Sequence, residues 1–169
     1  MKKYYVILLS LMVLTACGYK PSAHYAAKLI GEKVYTQVDV SLSDPENAVL
    51  TKDALNMALQ TRLKRRVSKE KNADSSIFVF YKDIRFIPLQ YDRNGYVVFY
   101  QAHITLDFTF KKEEIVKNRK IVGRFEFPIR ASAIISNDLR LKAIEKGSLK
   151  ALDEFISYLS VKGLLLDAQ

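Results

Sequence analysis

The sequence predicts an α+β domain: a two-layer sandwich with two helices packed on one face of a four-stranded, mixed but mostly antiparallel sheet, in the order β-α-β-β-β-α. Three observations lead there. In residues 98–110, Val98, Tyr100, Ala102, Ile104, Leu106, Phe108 and Phe110 alternate with Gln101, His103, Thr105, Asp107 and Thr109, the period of a strand with one buried and one wet face. Two other stretches repeat apolar residues three and four apart, as amphipathic helices do. Turn signals separate these stretches, and two helices suffice to cover one face of a four-stranded sheet.

Taken in order, Val34, Thr36, Val38, Val40 and Leu42 alternate with Tyr35, Gln37, Asp39 and Ser41, a first half-buried strand. Asp44-Pro45-Glu46 then supplies an N-cap, a first-turn proline and an acidic residue for the helix dipole. The helix is expected to reach about residue 68, with Leu55, Ala58, Leu59 and Leu63 on its apolar side and Arg62, Lys64, Arg65, Arg66 and Lys69 near its negative end. Residues 77–86 are rich in β-formers and read as the second strand. Asp92-Arg93-Asn94-Gly95 is a turn in which Gly95 can take positive φ, and it leads into the third strand.

Residues 113–120 read as a charged loop. The fourth strand follows, with Ile121, Phe125, Phe127, Ile129, Ala131, Ala133 and Ile135 opposite Arg124, Glu126, Arg130 and Ser132. Pro128 cannot donate to a ladder, so this strand belongs at an edge or bulges there. Ser136-Asn137-Asp138 caps a second helix that is expected to end near Lys162 with Gly163 beyond it. The open face of such a sheet would be polar.

The chain has 169 residues, 49% of them hydrophobic, which fits one folded domain and excludes a disordered chain. One cysteine excludes an internal disulfide framework, and two histidines leave little for a metal cluster. With six glycines, none arranged as a phosphate-cradling loop, no nucleotide motif is present. His103 stands alone on a strand, so no catalytic, cofactor or metal site is expected and the chain does not read as an enzyme. The balance of 27 Lys+Arg against 18 Asp+Glu, a net +9, points to an anionic partner: nucleic acid, membrane surface or ligand.

The N-terminus narrows that choice. Lys2-Lys3 precedes a short apolar run and then Leu14-Thr15-Ala16-Cys17, the layout of an export signal too short to span a bilayer. Leu-Thr-Ala-Cys resembles the bacterial lipobox, so residues 1–16 are expected to be a lipoprotein signal peptide and Cys17 the acylated new N-terminus. Residues 17–31 are expected to be a lipidated tether and residues 32–169 the single domain. Gly18, not Asp, follows the cysteine, which favours the outer membrane. Loss of Lys2 and Lys3 lowers the net charge from +9 to +7, and export makes nucleic acid an unsuitable partner.

Several motifs together carry a family resemblance: Cys17-Gly18-Tyr19-Lys20-Pro21, Asp44-Pro45-Glu46-Asn47, Asn72-Ala73-Asp74, Tyr91-Asp92, Gly95-Tyr96-Val97-Val98, and Arg140 with Ala143-Ile144. With this domain order and size, the mature chain resembles the lipopolysaccharide (LPS) assembly lipoproteins, the LptE family. The resemblance implies a non-enzymatic outer-membrane lipoprotein that plugs the β-barrel of the LPS translocon. Such a protein assists assembly of that barrel and binds LPS for insertion into the outer leaflet. On charge and position, the candidate contacts for LPS phosphates are Arg93, Lys117, Arg119, Lys120, Arg124 and Arg130. The alternatives are an auxiliary lipoprotein of an ABC-type lipid transport system and, from another class, a lipid-anchored periplasmic hydrolase using His103.

Overall fold

A computed structural model describes residues 22–40, 45–130 and 134–167. The signal, Cys17, the expected Asp44 cap and Ala131 to Ala133 lie outside the described residues. The elements are α1 (Ser22–Ile30), β1 (Lys33–Val40), α2 (Pro45–Arg62), β2 (Arg66–Val67), a 3-10 turn (Glu70–Asn72), β3 (Ser75–Tyr91), β4 (Val97–Lys112), β5 (Ile115–Pro128) and α3 (Asn137–Asp167). The strands form one sheet in the order β2-β1-β3-β4-β5. β1 is parallel to β2 and β3, and the β3-β4 and β4-β5 pairs are antiparallel. The α+β sandwich with a mixed, mostly antiparallel sheet is therefore present.

Its details differ from expectation in ways that have physical causes. The sheet has five strands rather than four, because α2 stops at Arg62 and Arg66–Val67 adds a short parallel edge beside Lys33 and Val34. The chain leaves the helix through Lys64, which holds a positive φ of 52°. Part of the expected tether is α1, whose Ala26, Ala27, Leu29 and Ile30 are buried in the core, giving three helices among the described residues. The expected charged loop at 113–120 is a two-residue turn, Glu113-Glu114, followed by the start of β5. Glu113 supplies the positive φ that tight hairpin turns demand. The last helix does not end at Gly163 but continues to Asp167, with Gly163 buried inside it; tertiary packing overrides glycine's weak helix propensity there. Its start is as expected, with the Ser136 hydroxyl accepting the Leu139 backbone N–H at 3.3 Å.

The helix-side face of the sheet and the helices share one core. Ala102, Ile104, Leu106, Phe108 and Phe110 of β4 are fully or almost fully buried. Phe108 stacks on Phe155 of α3 with ring centroids 4.4 Å apart. α2 turns Ala54, Leu55, Ala58 and Leu59 inward. Buried polar groups tie the layers: Thr36 donates to Asn56 at 2.7 Å, and the Thr51 and Ser148 hydroxyls are 3.4 Å apart.

The tightest approach lies between α3 and β5. Ala143, Gly147 and Ala151 repeat every four residues along the buried side of α3. A Cβ at Gly123 would overlap the Gly147 carbonyl, and one at Gly147 would overlap the Ile104 side chain. At the other end of the fold, the Asp74 carboxylate accepts the Glu32 and Lys33 backbone N–H groups at 2.8 and 2.9 Å. Gly31, with φ of +87°, lies against Asp74, where a Cβ would press on the carboxylate.

Two outcomes follow from these contacts. Gly147→Ala or Gly123→Ala should destabilise the protein by at least about 1–3 kcal/mol, the usual cost of overpacking, whereas Gly95→Ala, with open space around it, should cost only about 1 kcal/mol for its positive φ. Urea unfolding midpoints check the ranking. The backbone N–H groups of Lys33 and Glu32 hold the Asp74 carboxyl below its ordinary value of 3.8. Its contribution is therefore full above the unfolded value and is lost as pH falls through the lower folded one. The acid loss of stability should be shallower in Asp74→Asn, measured by unfolding across pH 2–6.

Candidate functional site

The exposed face of the sheet is the candidate site. Residues paired across antiparallel strands share a face, so the register assigns it directly. Asp83, Arg85 and Ile87 of β3 stand beside Thr105, His103 and Gln101 of β4, and these beside Val122, Arg124 and Glu126 of β5. Nearer the start of β3, Phe78 and Phe80 pair with Thr109 and Asp107, and those with Asn118 and Lys120. Lys82 sits at the register shift between Tyr81 and Asp83, a bulge that keeps it on the surface within 3.8 Å of Asp107.

Side chains on this face are linked laterally. Arg85 binds Asp83 at 2.9 Å, and Gln101 donates to Glu126 at 2.7 Å and contacts His103 through its carbonyl oxygen. Arg85, His103 and Arg124 form one cross-strand row. Partial burial, then the Arg124 and Arg85 charges, hold the His103 pKa below its ordinary 6.5. The imidazole is thus neutral at neutral pH between two guanidinium groups. Asp83 is held below the ordinary carboxyl value by the Thr105 hydroxyl and then by Arg85.

The six basic candidates do not meet in one cluster. Arg93 lies in the β3-β4 turn, where the Asp92 carboxylate accepts the Asn94 and Tyr96 backbone N–H groups at 2.9 and 2.8 Å. Arg130 follows β5 near that end, beside Ile129, whose N–H donates to the Val98 carbonyl at 2.9 Å. Arg124 is mid-sheet on the exposed face. Lys117 and Arg119 pair with Phe110 and Phe108 and so lie on the helix side, where Arg119 covers the Tyr158 ring at 5.3 Å. Lys120 is on the exposed face opposite Asp107. The partners that charge alone did not reveal are Arg85 and His103; they follow once the β3-β4 register is known.

Past the Phe99–Pro128 pair the β3-β4 hairpin closes within one further pair, Tyr91 with Val97, as a short two-stranded ribbon flanked by Ile129. Tyr91 and Tyr96 are exposed on it and Leu89 just before it. No group of three or more metal-ligating side chains occurs among the described residues, and no described helix is long and apolar enough to cross a membrane.

The fold and this face define a small α+β body that presents a wide polar sheet surface, an arrangement suited to binding. The lipopolysaccharide-assembly family model, LptE, matches residues 35–157, and the chain belongs to that family. No curated protein matches it in sequence. Solved structures share the fold at low identity. Rare lipoprotein B of Shewanella oneidensis is 12% identical, with 79% of this chain and 98% of that one covered at a TM-score of 0.51. A lipoprotein B of Nitrosomonas europaea is 12% identical, covering 78% and 83% at 0.53. A Xanthomonas campestris protein is 11% identical, covering 82% and 88% at 0.54.

The row on the exposed face makes one direct prediction. Arg124→Gln should raise the His103 pKa toward 6.5, because one of the two charges that oppose its protonation is gone. An NMR titration of the imidazole protons reads this, and an unchanged midpoint would show that Arg124 does not act on it.

Proposed function

We propose that this LPS-assembly family member is an outer-membrane lipoprotein, cleaved after residue 16 and acylated at Cys17. It seats in the lumen of the LPS-translocon β-barrel, assists assembly of that barrel, and binds LPS for insertion into the outer leaflet. It acts by binding and does no covalent chemistry. The observation that carries this reading, beside family membership, is the exposed sheet face. A five-stranded sheet covered by helices on one side only leaves β4 and the edge strand β5 with a hydrogen-bonding surface of Asp, Gln, His, Thr and Arg side chains. A wet barrel wall is a suitable cover for such a surface. Arg124 on this face, with Arg93 and Arg130 toward the ribbon, are the cations placed to meet LPS phosphates; Lys120 adds a fourth, whereas Lys117 and Arg119 face the helix side.

Affinity purification of the acylated protein from detergent-extracted membranes should recover a large outer-membrane β-barrel in near-equal amount. Recovery of an inner-membrane permease and ATPase, with no barrel, would replace this reading with an ABC-transport auxiliary role. In the same preparation, replacing Arg93, Arg124 and Arg130 with Glu should weaken LPS binding by about tenfold or more, since a charge-assisted hydrogen bond contributes about 1.5–3 kcal/mol. Unchanged LPS affinity would remove these three residues from the account.

A further inference from the structure

The two basic runs of the sequence, residues 62–71 and 111–120, lie far apart in the chain. The fold brings them to one end of the sheet. This base is where β1 and β3 begin and where β4 turns into β5. Arg66 pairs with Lys33 at the start of β1, and the Arg66 N–H donates to the Glu32 carbonyl at 3.0 Å. Lys69 and Lys71 flank and enter the 3-10 turn that leads into β3, and both are exposed. Lys111 pairs with Ser76 at the start of β3, and Lys117 is in the third pair from the β4-β5 turn. The Asp74 carboxylate at this end lies near Lys33 of β1 and Lys112 of the second run, each of which helps to lower its pKa. Glu32, Glu70, Glu113 and Glu114 share this end; the cations outnumber them even with Asp74, which is occupied by backbone donors.

The base is also within reach of the chain's N-terminal segment. α1 finishes there, its Ile30 carbonyl accepting the Ser75 hydroxyl at 2.6 Å. Nine helical residues rise about 14 Å. The five steps from Ser22 back to Cys17 reach at most about 17 Å more. Cys17 therefore lies within about 30 Å of the base. β3, with 17 residues, is roughly 55 Å long at about 3.3 Å per residue, so the far ribbon is out of that reach.

We infer that the basic base of the sheet is a membrane-contact surface that takes the phosphates of anionic phospholipids, beside the N-terminal lipid anchor. The inference rests on the reading of Cys17 as that anchor. The acyl chains hold the N-terminus in the leaflet without orienting the domain, and a basic patch is a second signal that adds to such attachment. Each Lys or Arg close to an anionic surface adds about fivefold to partitioning, and the gain falls as salt screens it. The base thus fixes orientation as well as residence: the ribbon is directed away from the leaflet that holds the anchor.

The test uses the mature chain from residue 17 with Cys17→Ser, so that only the protein's own surface is measured. Sedimentation with vesicles of phosphatidylethanolamine containing about one-third phosphatidylglycerol should show binding that is lost in zwitterionic vesicles and at high salt. The variant K69Q/K71Q/K111Q should bind these vesicles at least tenfold more weakly, while K52Q/K142Q/K150Q, which removes equal charge from the helices, should bind as the parent does. Thermal melts confirm that each variant is folded. Equal losses in both triple variants would overturn the inference, as would binding of lipid A micelles but not phosphatidylglycerol vesicles, which would assign the base to LPS. Vesicle binding as expected, with no barrel recovered in the purification above, would leave this inference standing and sink the barrel reading.

Discussion

The fold depends on how closely α3 lies against β4 and β5. Gly123 and Gly147 meet backbone to backbone, and the Ile104 side chain fills the space a Cβ on Gly147 would need. That approach fixes both the height and the direction of the helix. With Gly147 over Gly123, Phe155 comes to stack on Phe108 and Tyr158 comes under Arg119. The helix therefore runs antiparallel to β5 for most of its 31 residues. α1 and α2 pack against it, so an error in its height would be passed to all three helices. Dispersion weakens steeply with radial gaps below 1 Å, so small residues at 143, 147 and 151 matter as much as the large ones around them.

Much of this fold is legible in the sequence where periodicity has length to show itself. β4 alternates from Val98 to Phe110, and Ala102, Ile104, Leu106, Phe108 and Phe110 of the set the alternation names are buried, with Val98 and Tyr100 half-buried and Thr105 of the other face buried as well. The spacing in α2 likewise identifies Leu55, Ala58 and Leu59. What is hidden is short. β2 has two residues and cannot display a period. α1 has nine, and it starts beside a proline with a serine, a composition shared with tethers. The basic residues after Arg62 suit a helix C-terminus electrostatically, yet the chain turns at Lys64 and spends them on an edge strand and a 3-10 turn.

The candidate site was legible in its chemistry and not in its arrangement. Five of the six cations fall within residues 117–130, but a strand sends neighbours to opposite faces and moves about 3.3 Å per residue. Arg119 and Lys120 are adjacent in sequence and separated by the sheet itself. Arg85 is 39 positions from Arg124, and only the two ladders through His103 set them abreast. Charge runs in a β protein therefore need the register before they define a site. The parallel pairing of β1 with β2 and β3, together with the β3-β4 ladder, likewise brings residues 66–71 and 111–117 to one end.

Stability gives no reason to place Arg85, His103 and Arg124 side by side. Arg85 and Arg124 are like charges two strands apart with only His103 between them, and the nearby ion pairs are solvent-exposed and contribute at most about 1 kcal/mol each. Keeping His103 neutral reduces the repulsion without removing it. A neutral residue in place of Arg85 or Arg124 would remove it. Local choices that oppose stability gather where a surface has work to do, and this row lies on the one broad face that the helices leave uncovered. The helix-covered side holds the molecule together through apolar packing. The exposed side keeps its polar groups for a partner that can return their hydrogen bonds and neutralise their charge.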